Sequence, residues 1–209
     1  MQEFQSDLEL LFTCLASKMS AEVMQSLKPI NERLNYLSDR HEVKINHSVM
    51  EVICASYLIA KGYRVEVERD IGGGMTCDLF GIGSKNEVIV EVETGFVPPE
   101  EALGPIAYRR TRVASKIAMY GIFFAHQWQA APNYHILQIP KVLSLPPGER
   151  DRGELSSLVK ECEGYYKSPP ISIMELMSCH LDAIYIIWVD DCRVVEMGPV
   201  EYLDSYSRS

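Results

Sequence analysis

Residues 75–94 read MTCDLFGIGSKNEVIVEVET. Two apolar runs flank Gly83-Ser84-Lys85-Asn86, which predicts a hairpin with one strand over 75–82, a turn over 83–86 and a second strand over 87–94. Side chains alternate along a strand, so Val88, Val90 and Val92 face one way and Ile89, Glu91 and Glu93 the other. If the hairpin is symmetric about Ser84-Lys85, residues whose numbers sum to 169 lie opposite one another. Asp78 then faces Glu91, and Thr76 faces Glu93. Like charges placed directly across a strand pair are destabilising unless something compensates them. Here the carboxylates sit among Cys77, Leu79, Phe80, Ile89 and Val90, and a divalent cation would compensate them. A slip of one residue would move Asp78 to the other face, so the reading depends on the register.

Upstream, residues 47–61 read as a helix that is almost wholly apolar after Glu51, with Gly62 as its C-terminal glycine. Glu51 lies in the first turns, where the helix dipole favours a carboxylate whatever its role. The helix immediately precedes the first strand, so it can also bring Glu51 over the sheet face that carries the acids. Residues 63–69 alternate strictly, with Tyr63, Val65 and Val67 against Arg64, Glu66 and Glu68, as a half-exposed strand should. Gly72-Gly73-Gly74 then turns the chain. Downstream, Pro98-Pro99 and Glu100-Glu101 introduce a helix over 103–120. Residues 122–128 and 134–139 read as strands, 152–165 and 172–180 as helices, and 183–189 as a strand hairpinned to 193–197. Residues 3–40 read as helical, with Val23, Leu27, Ile30, Leu34 and Leu37 on one face and Pro29 as a break or a kink. The expectation is an α/β domain over 45–209 with an N-terminal helical extension over 1–44.

The net charge of −9 argues at first against a nucleic-acid partner. Its distribution argues otherwise. Between Glu101 and Glu149 no acid occurs, while Arg109, Arg110, Arg112, Lys116 and Lys141 make that window +5 and the remainder −14. Arg109, Arg112 and Lys116 share one face of the predicted helix, with Ile106, Val113 and Ile117 turned to the core. Such a stripe suits phosphates. No apolar run reaches the roughly 18–20 residues a bilayer span needs. The N-terminus carries Glu3, Asp7 and Glu9, unlike a signal peptide. The six cysteines are scattered without a C-x-x-C pair, which fits a reducing cytoplasm and argues against a structural zinc site.

The order helix, three strands, helix, strand over residues 47–128, with Glu51, Asp78 and Glu91-Val92-Glu93 at their places in it, resembles the PD-(D/E)XK nuclease superfamily. That group includes many restriction enzymes and the archaeal Holliday-junction resolvases. The resemblance implies a restriction-endonuclease-like core with a mixed central sheet and a C-terminal α/β addition. It also implies a metal-dependent endonuclease acting on DNA rather than RNA, with Mg²⁺ or Mn²⁺ as cofactor. Asp78, Glu91 and the carbonyl of Val92 would bind metal, with Glu51 as the acid on the first helix. Cys77 stands where a proline is usual, and Glu93 where the lysine is usual. Some restriction enzymes that resemble this pattern have glutamate there and are active. On this reading Glu51, Asp78, Glu91 and Glu93 are catalytic, with Glu93 as general base or as part of a second metal site. Arg109, Arg112 and Lys116 would dock the nucleic acid. Duplex cleavage needs two sites, which opens the way to a homodimer. The rival expectation is a catalytically inactive nucleic-acid-binding or assembly module on the same fold. A third is an interaction protein whose N-terminal helices matter most.

Overall fold

A computed structural model of the chain describes residues 2–121, 124, 126–165 and 170–206. The fold is α/β. Its centre is a six-stranded mixed sheet of β1 (Arg64–Gly72), β2 (Met75–Ile82), β3 (Glu87–Val92), β4 (Gln127–Pro132), β5 (Ala183–Trp188) and β6 (Arg193–Met197), lying in that order. The ends of the sheet, the meander β1–β2–β3 and the hairpin β5–β6, are antiparallel, whereas β3, β4 and β5 run parallel. A parallel sheet is covered on both faces, and the helices divide accordingly. On one face pack α1 (Gln2–Ala16), α2 (Ala21–Asp39) and α3 (Ile45–Ala60), whose Leu8, Leu27, Leu34, Ile53 and Leu58 share a core with Val67, Leu79, Val90, Tyr185 and Ile187. On the other pack α4 (Pro105–Gly121), α5 (Arg152–Glu163), α6 (Ile173–Ser178) and α7 (Pro199–Tyr206), around Val113, Ile117, Leu155, Leu176 and Ile184. The alternation along β5, with Tyr185 in one core and Ile184 in the other, is the strand period expressed as two layers.

α3 is buried nearly all round, as its apolar sequence requires, and Gly62 beyond its end takes φ 91°. In α2 the expected stripe from Val23 to Leu37 is buried, Ser20 caps the N-terminus by accepting from the Val23 N–H, and Pro29 lies inside one continuous helix. Two expectations need correction, and one element is new. Residues 134–139 form no strand: Leu137 and Ile139 bury themselves in the second core, and the Leu137 N–H donates to the Tyr202 hydroxyl of α7 instead of to a neighbouring strand. Ile106, placed in the core by its spacing, is 62% exposed: it lies in the first turn of α4, whose buried residues begin at Thr111. α7 has no counterpart in the sequence reading. Ile122, Phe123 and Ala125, expected at the start of the fourth strand, lie outside the described residues. No helix among the described residues is long and apolar enough to cross a membrane.

Candidate metal centre

The β2–β3 ladder runs from Ile82–Glu87 to Leu79–Val90, each pair summing to 169. The next pair would be Asp78 and Glu91. There the side chains take over the backbone's bonds. The Asp78 carboxylate accepts the Val92 N–H at 2.6 Å, and the Glu91 carboxylate accepts the Asp78 N–H at 3.2 Å. β3 meanwhile stays bonded to β4, with Glu91 opposite Gln129 and the Glu93 N–H on the Ala130 carbonyl. The two strands thus separate at the acids, and the gap is where α3 and α4 reach in from opposite faces.

From α3 come His47 and Glu51, four residues apart on one side of the helix. Nε2 of His47 stands 3.3 Å from Oδ2 of Asp78. One ligand-type atom each from His47, Glu51 and Asp78 lies within 4.8 Å of the other two. Glu51 is 0% exposed, and neither of its oxygens meets a hydrogen-bond donor among the described residues. Burial, followed by the charges of Asp78 and Glu68, raises its pKa well above the usual carboxylate range. Burial pulls the other way at His47 but is outweighed by Asp78, which holds the imidazole above its ordinary value. Asp78 is pushed up by burial, yet Lys116 and His47 bring it below the ordinary aspartate.

From α4, on the opposite face, come Arg112, Lys116 and Tyr120, spaced by one turn each. The Lys116 ammonium bridges the two strand acids, 2.8 Å from Glu91 and 2.8 Å from Glu93. The Arg112 Nε donates to both oxygens of Glu93, at 3.0 and 3.2 Å. The Tyr120 hydroxyl donates to the Thr76 carbonyl, fastening α4 to β2 at 2.8 Å. Arg109 donates to the Gly95 carbonyl at 2.6 Å. The stripe of Arg109, Arg112 and Lys116 therefore shares a face, but that face is turned onto the acids and the β3 loop rather than outward. Only 15% of the Lys116 side chain is exposed. Burial opposes its charge, but Glu91 and Glu93 hold its pKa well above that of an ordinary lysine. Glu93 is likewise pulled below the usual range by Lys116 and Arg112 against its burial. Glu91 differs: burial and then Asp78 push it up to about 7 despite Lys116.

No protein-family model and no curated protein matches the chain. Among solved structures the chain is similar to the one described as the structure of Pyrococcus furiosus SfsA in complex with Ca²⁺, at a TM-score of 0.31 and 14% identity. The likeness covers 73% of this chain and 61% of that one, so the chain spans about three fifths of that protein's length. At that level it bears on neither fold nor activity, and the site has to be read from its own residues.

Those residues fit a cation. A carboxyl with no exposure and no donor, facing an aspartate and an imidazole, is costly to ionise there, and a cation bound among the three would offset that cost. Of the four acids expected here, Glu51 and Asp78 meet at that point, while Glu91 and Glu93 are held by Lys116 on its other side. The Val92 contribution seen in the structure is its N–H, which anchors Asp78. Two residues escaped the sequence reading although a signal for each was there. His47 lies one helical turn before Glu51. Glu68 pairs with Asp78 under the same arithmetic: β1 and β2 pair in sums of 146, with Val67 opposite Leu79 and Arg69 opposite Cys77.

Proposed function

We propose that the chain is a divalent-metal-dependent hydrolase of phosphodiester bonds, an endonuclease acting on DNA. The observation that carries this reading is Lys116. Its ammonium, held between Glu91 and Glu93, supplies from α4 the positive charge that β3 lacks at position 93. Phosphodiester hydrolysis needs an oriented water and a fixed positive field for the charge that gathers on the phosphoryl oxygens. The ammonium is paired with both strand acids at 2.8 Å, and with three N–H donors it could also serve a phosphate oxygen or the attacking water. His47, Glu51 and Asp78 would hold the cation, Mg²⁺ or Mn²⁺. When bound, such an ion supplies Lewis acidity and lowers the pKa of a coordinated water.

The remaining side chains divide the work by their partners. Glu91 is fixed at the centre, one oxygen on the Asp78 N–H and the other on Lys116. Glu93 is kept ionised by two cations, which suits it to anchoring Lys116 and ill suits it to taking a proton. Arg112, with 38% of its side chain exposed, marks the side from which a phosphate would approach. The test is nicking of supercoiled plasmid in Mg²⁺ or Mn²⁺ by the native chain and by Asp78→Asn. The expected result is cleavage that needs the cation and falls by about a hundredfold or more in the variant. A native chain that cuts nothing with either ion would be a binding or assembly module instead.

A further inference from the structure

We propose that Glu68 is a further cation-holding residue of this site, delivered to it by a local break in β1; the proposal rests on the reading of His47, Glu51 and Asp78 given above. Along β1 the pleat buries Val65 and Val67 beneath α3 and should carry Glu68 to the opposite face with Arg64 and Glu66. Glu68 does not follow it. Its φ is 47°, in the left-handed region that residues with a Cβ avoid, while its strand neighbours keep register with Leu79 and Cys77. The half-buried carboxylate thereby faces Glu51 of α3, with Asp78 and His47 close enough to act on its charge. Arg33 of α2 donates to the Glu68 carbonyl at 3.3 Å, holding the irregular backbone from outside. The position is unfavourable by backbone conformation, and it sets a second carboxyl beside Glu51, at the edge of the group formed by His47, Glu51 and Asp78. Glu51, fully buried with no donor on either oxygen, points into the same space. A hard divalent cation offsets this, because it takes several carboxylate oxygens at once.

The test is calorimetric titration of the full chain with MnCl₂ alone, in the absence of nucleic acid, for the native protein, Glu68→Gln, Glu68→Gly and Asp78→Asn. The expected result for Glu68→Gln is a weakening of Mn²⁺ affinity by about tenfold or more. Glu68→Gly should lose affinity likewise and, free of metal, melt at a higher temperature than the native chain, since glycine adopts the left-handed conformation without cost and removes one repelling charge. Native affinity in Glu68→Gln overturns the proposal, and if Asp78→Asn still abolishes binding, the three-residue site stands without Glu68. A lower melting temperature for metal-free Glu68→Gly overturns it too, because it makes Glu68 a structural residue. A native chain that binds no Mn²⁺ overturns both Glu68 and the metal site. Cleavage is read separately, so failure here is distinct from failure of the hydrolase reading.

Discussion

At position 93 a glutamate on β3 holds a lysine that arrives from α4, so the strand supplies the anchor and the helix the charge. The pair is nearly buried, and its partners depend on each other. Lys116→Met would leave Glu91 without its cation and Glu93 with Arg112 alone, and a loss of about 3–5 kcal/mol is expected in chemical denaturation. Glu93→Lys would crowd a cation against Lys116 and Arg112 and should cost as much. In the double variant Glu93→Lys, Lys116→Glu the charges exchange places, and at least about 1 kcal/mol of coupling should return; additive losses would mean the two side chains do not sense each other. The acids also set a pH dependence. Glu91 is raised to about 7 from an ordinary 4.5, so between those values the folded chain keeps a proton that the unfolded chain has lost. Its contribution is full below 4.5 and declines as pH rises towards 7. The raised His47 acts in the same direction, with stability present below 6.5 and lost as pH climbs through its folded value. Asp78 and Glu93, both lowered, withdraw stability only in more acid solution. Metal-free protein should therefore melt higher at pH 5 than at pH 7, as scanning calorimetry would show.

Two elements aim these residues. α3 is wedged against the sheet by Ile53, Ala55 and Leu58, which fixes His47 and Glu51 one turn apart over β2. α4 is seated by Val113 and Ile117 and ends at Gly121, where an added Cβ would lie 2.4 Å from Cβ of Cys179. Gly121→Ala should therefore push α4 away from the turn after α6, at a cost of about 1–3 kcal/mol in thermal unfolding, and loosen Lys116 with it. A melting curve like that of the native chain would show that the helix end yields freely. The same elements show what could be read from the chain alone. The β2–β3 register was legible because equal apolar runs flank one short turn, and with it came the opposition of Asp78 and Glu91. The helix face of Arg109, Arg112 and Lys116 was legible too, but not its direction. A basic face is satisfied equally by phosphates outside and by buried acids inside, and only the docking of α4 decides between them. The apolar alternation at 137 and 139 misled for a similar reason, since it is met by burial against α7 instead of by pairing in the sheet. Alternation along 63–69 puts Glu68 with the exposed residues of β1; only its register position opposite Asp78 hints at the site, and the left-handed backbone that turns it there has no sequence signal.

Across the whole molecule, the mixed sheet opens between β2 and β3, α3 brings a donor set to one side of the opening, and α4 brings a fixed cation to the other. An ion that binds only the folded form stabilises it by mass action. Mn²⁺ in excess should raise the melting temperature more at pH 7 than at pH 5, because the raised carboxyls of Glu51 and Glu91 hold their protons more firmly in acid and the ion must displace them; an equal shift at both would separate the ion from those acids. On the proposed reading, the lysine from α4 and the metal centre together form a hydrolytic site. The most direct test of that reading is the single-turnover rate of plasmid nicking in Mg²⁺ or Mn²⁺ by native protein and by Lys116→Met, with the variant's fold checked by circular dichroism. Metal-dependent nicking by the native chain is expected, with a fall of about a hundredfold or more in the folded variant. A folded Lys116→Met that nicks at the native rate, or a native chain that nicks with neither ion, would contradict that reading.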